Sequence, residues 1–516
     1  MCLLLLATVA TVAAPGSAAR IARAADPASN GDSPNSAVTT LGLDPAMSLD
    51  PSAPQVGALP GGVSPAYGRK SVKEGDWRFD FHGFLTAPLN VGFNTREMPL
   101  PGQEKNVLHA PPVVPDDLET FSHTGVVPTT YARLNFSQGN GLVSANMSLV
   151  ARQANASTSF LEPASQQGVT DLFVALTPAP YRNMRAQFLV GAFSSRYGST
   201  GEYDEGRYGT PLIARVNGMG EQASLKAIWG DFTLMVEQGL QGQSNKPGSS
   251  IIPDVSSDFA DPGAGSSFAS HLHVGVGFRR WGTLGGHYIR AWSQDDRAGN
   301  LALDGGLDIS AADIRLTLGR FGHLYVAFAR TQAENARTVS RMISVLNTKG
   351  GLGLMDNYLG RLSNGTGTLT TVGGQYDLSI GKLVSYPTPF YGDGPDLFVS
   401  VFGMQTHVSS ADRTADNITM RKIGIEGTYS LLSWLAVSTR YDQVAPHVGM
   451  DDLSFAVLAP RLIFRSDWAA TDQVVLQYAH WFNGSRTTVR VGDPPVPDPT
   501  VIPDSGVLSL SATMWW

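Results

Sequence analysis

The residues of this chain that could do chemistry are few and far apart. His271 and His273 stand in an H-x-H spacing, which puts two imidazoles on one side of an extended segment. Such a pair could share a metal, but no third ligand accompanies it, and a polar wall explains it as well. The sequence contains no G-x-S-x-G, H-E-x-x-H, Walker A or EF-hand loop, and no G-x-G-x-x-G after a strand. Carboxylate pairs are too common to single one out. No Ser and His pair suggests a lipase embedded in a wall of strands. The one thiol, Cys2, lies in a segment expected to be removed, which leaves neither disulfide nor thiolate metal site. We expect no catalytic residue, no metal and no cofactor.

Composition narrows the class. The 516 residues include 56 glycines, 42% are apolar and only 16% are charged, against about 25% charged residues in ordinary soluble domains. The chain is polar without being charged. That apolar share is too low for a bundle of membrane helices and too high for a disordered chain. With 37 basic and 44 acidic residues the net charge is −7, so nucleic acid is not an expected partner.

The elements that must position any site change along the chain. Residues 1–24 read as a signal peptide: a short apolar run from Cys2 to Ala14, then small residues, with cleavage after Ala19 or Ala24. Residues 25–75 are rich in Pro, Gly, Ser and Asp and read as a flexible periplasmic leader, with Arg69, Lys70 and Lys73 as a solvated run at its end. Residues 76–516 alternate apolar and polar side chains in about eighteen short segments, the period of strands with two different faces. Leu272, Val274, Val276 and Phe278 oppose His271, His273 and Arg279; Ala186, Phe188, Val190 and Ala192 oppose Arg185 and Gln187. Among these segments are 169–178, 220–229 and 309–319.

Loop lengths alternate as well. Tight links such as 229–231, 279–283 and 319–323 take turns with long loops such as 95–126, 197–219, 243–267, 334–365 and 486–505. Residues 381–395 break the rule with a long link on the short-turn side. Short turns on one rim, long loops on the other and an even strand number predict an all-β, transmembrane, antiparallel up-and-down barrel of 16 to 18 strands. Seven of the nine tryptophans, Trp77, Trp229, Trp281, Trp434, Trp468, Trp515 and Trp516, fall on the short-turn rim, where an indole sits at the headgroup boundary.

Strand number carries a functional expectation, since 16 to 18 strands enclose an aqueous channel whereas eight do not. The inner wall is expected to hold Arg133, Arg152, Arg185, Lys226, Arg279, Arg315, Arg440, Arg461 and Arg465, with Asp231, Glu237, Asp313, Glu426 and Asp442 among them. Facing lipid, one such arginine would cost about 2 to 4 kcal/mol at mid-depth. The competing reading is an ion-paired, closed interior.

The last segment, VLSLSATMWW, alternates strictly and ends on an aromatic residue. With the signal peptide and alternating strands, residues 77–516 resemble a Gram-negative outer-membrane porin. The resemblance implies a cell outer-membrane location, a homotrimer, and recognition of Trp516 by the barrel-assembly machinery, although terminal Phe is commoner in that family. It also implies a third external loop that folds into the lumen. Here that loop would be 197–219, with Glu202, Asp204, Glu205, Arg207 and Arg215 facing the basic wall across a transverse field. Lipopolysaccharide is an expected partner of the acidic outer loops, through divalent cations. The expected function is passive diffusion of small polar solutes and ions; the alternatives are a non-conducting adhesion or structural barrel, with loops 334–365 and 95–126 as its binding surface, and a secreted β-rich enzyme.

Overall fold

A computed structural model describes residues 77–93, 129–140, 142–155, 163–197, 214–244, 266–278, 281–294, 305–334, 343–345, 366–384, 396–410, 417–432, 434–445, 448–449, 454–465, 473–485, 487–490, 496–501 and 504–515. The proposed signal peptide and leader lie outside the described residues. The strands are β1 (Arg78–Phe93), β2 (Thr129–Gly139), β3 (Val143–Asn155), β4 (Pro163–Leu176), β5 (Met184–Tyr197), β6 (Ala214–Trp229), β7 (Phe232–Ser244), β8 (Ser266–Phe278), β9 (Gly282–Gln294), β10 (Gly305–Thr317) and β11 (His323–Glu334). They continue with β12 (Ile343–Val345), β13 (Gly367–Ser379), β14 (Asp396–Ser410), β15 (Ile418–Leu432), β16 (Leu435–Ala445), β17 (Phe455–Arg465), β18 (Gln473–Phe482), β19 (Thr487–Arg490), β20 (Val496–Val501) and β21 (Ser505–Trp515).

Antiparallel pairing runs from β1–β2 around to β18–β21 and then closes on itself, with Phe84 opposite Trp515 and Phe93 opposite Gly506. Because β13 follows β11 directly and β19 pairs only with β20, eighteen strands make the ring. Closure leaves no unpaired edge between its first and last strands, which is what a sheet in hydrocarbon needs. Alternation decides which face each side chain takes. On β4, Asp171, Phe173 and Ala175 are buried while Leu172, Val174 and Leu176 are exposed. The expected outward set Leu272, Val274 and Phe278 is exposed, and His271 is buried.

The tight turns form one rim. Asn140 Oδ1 accepts from the backbone N–H of Leu142 and Val143 at 3.1 and 3.0 Å, closing the β2–β3 turn, and Gly230 takes φ 61° between β6 and β7, a conformation glycine adopts freely. Trp77, Trp229, Trp281 and Trp434 all stand exposed on this rim. The long link after β13 begins with a five-residue helix α1 (Ile380–Val384). Buried Asp396 holds it, accepting from the Gly381 N–H at 2.7 Å and from Ser379 Oγ at 2.5 Å.

Several strands start earlier than the alternation suggests. β4 begins at Pro163, β6 at Ala214 and β10 at Gly305. Contrast between faces exists only where one face meets hydrocarbon, so a strand that continues beyond the lipid loses its signature while keeping its hydrogen bonds. On β5, register sets Ala192 between Leu172 and Met219, both exposed, so Ala192 shares the outward face with Val190 although its larger neighbours cover it. Asp231 is no wall residue, but an exposed member of the β6–β7 turn.

One pairing joins strands that are not neighbours in the ring. In the long segment between β11 and β13, β12 pairs with the outer end of β6, Ser344 opposite Arg215 and Val345 opposite Ala214. β7 pairs with β6 only from Met219 onward, so β12 occupies the edge that β7 leaves free. Part of the segment assigned to an external binding surface is thus tied to a strand five places around the ring.

Candidate functional site

The densest chemistry is a ribbon of inward side chains on β15 to β18. Alternation sends Ile423 and Ile425 out and Lys422 and Glu426 in, and register places Glu426 opposite Arg440. Arg440 Nε donates to Asp442 Oδ2 at 2.6 Å, and Lys422 Nζ lies 3.8 Å from Asp442 Oδ1. Arg461 Nη1 donates to Glu426 Oε1 at 3.3 Å, and its Nε donates to Gln477 Oε1 at 2.6 Å. Ser438 Oγ donates to Glu426 at 3.3 Å. Arg440 and Asp442 are 0% exposed, Lys422 1%, and Glu426 and Arg461 5%. Charges so far from solvent persist only when paired and hydrogen-bonded.

Apolar layers bracket this ribbon. Toward the long-loop rim, Val444, Phe455, Val457, Ala459, Ala479, Trp481 and Val507 form one buried cluster; toward the short-turn rim lie Ala436 and Ile463, with Val475 against them. A second inward cluster joins Phe173, Ala175, Leu189 and Phe193. The inner face is therefore not uniformly wet, contrary to the expectation from alternation. Alternation reports only that two faces differ, and the interior also packs apolar groups where it is out of water.

Beside the ribbon, Asp377 accepts from Gln375 Nε2 and Ser400 Oγ at 2.6 Å each. Arg315, 8% exposed, lays its guanidinium over the Tyr325 ring at 5.5 Å, a cation–π contact.

The opposite stretch, β7 to β10, is built differently. Register aligns Glu237 with His273 and His273 with His287. His273 Nδ1 lies 3.8 Å from Glu237 Oε1, the two imidazoles stack with centroids 4.5 Å apart, and His287 Nε2 hydrogen-bonds Asp313 Oδ1. The row is carboxylate, imidazole, imidazole, carboxylate across four strands. His271 and His273 do share a face, as their spacing predicts, yet the residue that meets His273 is His287, out of sequence reach. Among the described residues no cluster of three or more His, Cys, Asp or Glu is arranged to hold a metal.

The expected wall residues fall into two groups. Lys226, Arg315, Glu426 and Arg440 are buried inward residues, and Arg185 lies opposite Lys226 in register. Arg133, Arg152 and Arg465 are in β2, β3 and β17, but their side chains, and all of Arg279, lie outside the described residues. Glu202, Asp204, Glu205 and Arg207 lie outside them too. Arg215 is not in a loop: it is the second residue of β6, opposite Arg196 and Ser344. Sequence reasoning missed Lys422, Asp377 and His287; the polar position of Lys422 between Met420 and Gly424 carried a signal for the first.

No family model matches the chain, and neither does any curated protein. Solved structures do align with it. Pseudomonas aeruginosa OccD3 (OpdP) matches at 9% identity over 94% of this chain and 98% of its own, with a TM-score of 0.37. P. aeruginosa OccK9 (OpdG) matches at 11% over 86% and 99%, TM-score 0.37, and Acinetobacter baumannii OccAB3 at 10% over 85% and 100%, TM-score 0.37. Superposition that loose carries no argument about solute or mechanism. The fold rests on the chain's own strand pairing, and an eighteen-stranded closed antiparallel sheet fits the architecture of a Gram-negative porin.

Proposed function

We propose that this protein is an outer-membrane channel through which small polar solutes and ions diffuse passively. What supports the reading is the closed ring of eighteen strands, apolar outward and charged inward. Eighteen strands enclose more space than wall side chains alone fill, and an apolar outer band is stable only against lipid. Export by a signal peptide in residues 1–24, assembly through Trp516, contact with lipopolysaccharide and association into trimers belong to the same proposal, as does narrowing of the lumen by Glu202, Asp204, Glu205 and Arg207. No covalent chemistry is involved.

The test is single-channel recording of the purified full chain in planar bilayers. Stable ohmic steps are expected, with larger conductance after removal of 202–212. A folded, heat-modifiable but silent barrel would overturn the channel. It would instead favour a second reading, a structural or adhesion barrel, for which one observation speaks: the ribbon charges are neutralised in pairs and shielded from solvent.

A further inference from the structure

The outer surface carries a notch that the channel does not use. On β11 and β13 the apolar outward run reaches Phe328 and Val372, while on β14 and β15 it stops one outward row lower. Phe328, Val372, Gln405 and Arg421 lie in one register row, and the next row toward the short-turn rim is Val326, Gly374, Gly403 and Ile423. Two glycines face each other there, Gly374 opposite Gly403. A Cβ added at Gly403 would meet nothing within 4 Å. The result is a concavity on the lipid side, its walls Val326, Val372 and Ile423, its upper edge Gln405 and Arg421.

Charge says what fits it. Arg421 is exposed and faces outward, where it borders apolar surface. One row above stand Arg330, Thr370, His407 and Thr419, with His407 Nδ1 2.8 Å from Thr419 Oγ1. The outward described positions of β13, β14 and β15 include no carboxylate; the nearest are Asp308 and Glu334 on β10 and β11. An arginine at the edge of an apolar groove, at the depth where apolar side chains give way to polar ones, matches a ligand with an acyl chain below and a phosphate above.

We infer that this notch is a binding site for a phosphorylated, multiply acylated lipid of the outer leaflet, its acyl chain lying on Gly374 and Gly403 and its phosphate on Arg421. The inference rests on the outer-membrane reading above and assigns to that reading a specific lipid contact. It needs no divalent cation.

The experiment titrates the detergent-solubilised full chain with bisphosphorylated hexa-acyl lipid A, and with the same lipid stripped of phosphate, and counts bound lipid by native mass spectrometry. Arg421→Gln should weaken bisphosphorylated lipid A about tenfold and leave the stripped lipid unchanged, while Arg421→Lys retains most of the binding. Gly403→Leu should weaken both lipids at least fivefold. Gly427→Leu, at another outward glycine where an added Cβ meets open space, should do neither. Heat-modifiable migration confirms that each variant is folded. Binding within twofold of wild type in both Arg421→Gln and Gly403→Leu would overturn the site. So would loss of oligomers in Arg421→Gln with lipid binding intact, since the notch would then seat a second copy of the chain, for instance through outward Glu221. A chain that fractionates away from the outer membrane would sink the function reading itself, whereas failure of these variants in an outer-membrane barrel sinks only the lipid site.

Discussion

The two charged stretches of the inner wall solve one problem in different ways. On β15 to β17 the cations are Arg440, Arg461 and Lys422, side chain types ordinarily charged across physiological pH, each within 4 Å of Asp442 or Glu426. On β7 to β10 the groups between Glu237 and Asp313 are His273 and His287, the one side chain type that titrates in that range. Their surroundings differ accordingly. The ribbon is spaced by hydroxyls, Thr428 donating to Ser438 at 2.9 Å and Ser438 to Glu426. The histidine row is spaced by glycines, Gly275 opposite Gly285. A network of ion pairs needs donors to hold it together, and a stack of rings needs room.

On that contrast, the ribbon should fail hardest when a buried charge loses its counter-ion. Asp442 is the partner of both Arg440 and Lys422. Asp442→Leu takes from two buried cations a carboxylate that both contact, and removing one member of a buried pair costs about 3 to 5 kcal/mol. Urea unfolding in lipid vesicles, followed by gel mobility, should show that loss. The triple variant Lys422→Met, Arg440→Met, Asp442→Leu should recover most of it, because no charge is then orphaned. A triple variant as unstable as the single one would show that the acid acts through shape and not through pairing.

The histidine row should be broken by volume instead. A Cβ at Gly285 would sit 2.5 Å from Asp313 Oδ1 and 3.0 Å from His287 Nε2. Gly285→Ala therefore pushes into the contact between them, and overpacking of this kind costs about 1 to 3 kcal/mol. The same substitution at Gly427, outward and open, should leave urea unfolding unchanged.

A third change is smaller. Ser438→Ala leaves the ribbon charges in place but takes from Glu426 one donor and from Thr428 its acceptor, at a position 0% exposed. About 1 kcal/mol is expected in the same assay. Loss as large as that of Asp442→Leu would mean that the hydroxyls, not the ion pairs, hold the ribbon.

These differences also mark how far the amino-acid order could be read. Strand number, closure and the indole rim were legible because hydrocarbon imposes period two on every strand: Leu272, Val274 and Phe278 face out wherever the chain is lipid-bounded. The inner wall was legible by residue, as with Arg440 and Glu426, but not by partner. Pairing of Glu426 with Arg461, or of His273 with His287, depends on register between strands, which one strand's pattern does not contain. Phe455 and Trp481 went unnoticed as interior residues for a related reason, since on β17 and β18 both faces are partly apolar. The pairing of β12 with β6 leaves no local trace at all, being a contact between segments more than a hundred residues apart.

The smallest expected effect is electrical, and it separates the two stretches most cleanly. Histidine is the side chain type whose charge ordinarily changes between pH 7.5 and pH 5, and His273 and His287 place two of them side by side on β8 and β9. Any proton taken up there adds positive charge to that stretch. In the proposed channel the reversal potential under a potassium chloride gradient should move toward anion preference on acidification, with conductance changing less than twofold. His273→Asn with His287→Asn should abolish the movement, because asparagine keeps a polar group in the wall but does not titrate. A double variant that still shifts by the full amount would assign the proton to another carboxylate or imidazole, and the division between a fixed and a titratable wall would have to be given up.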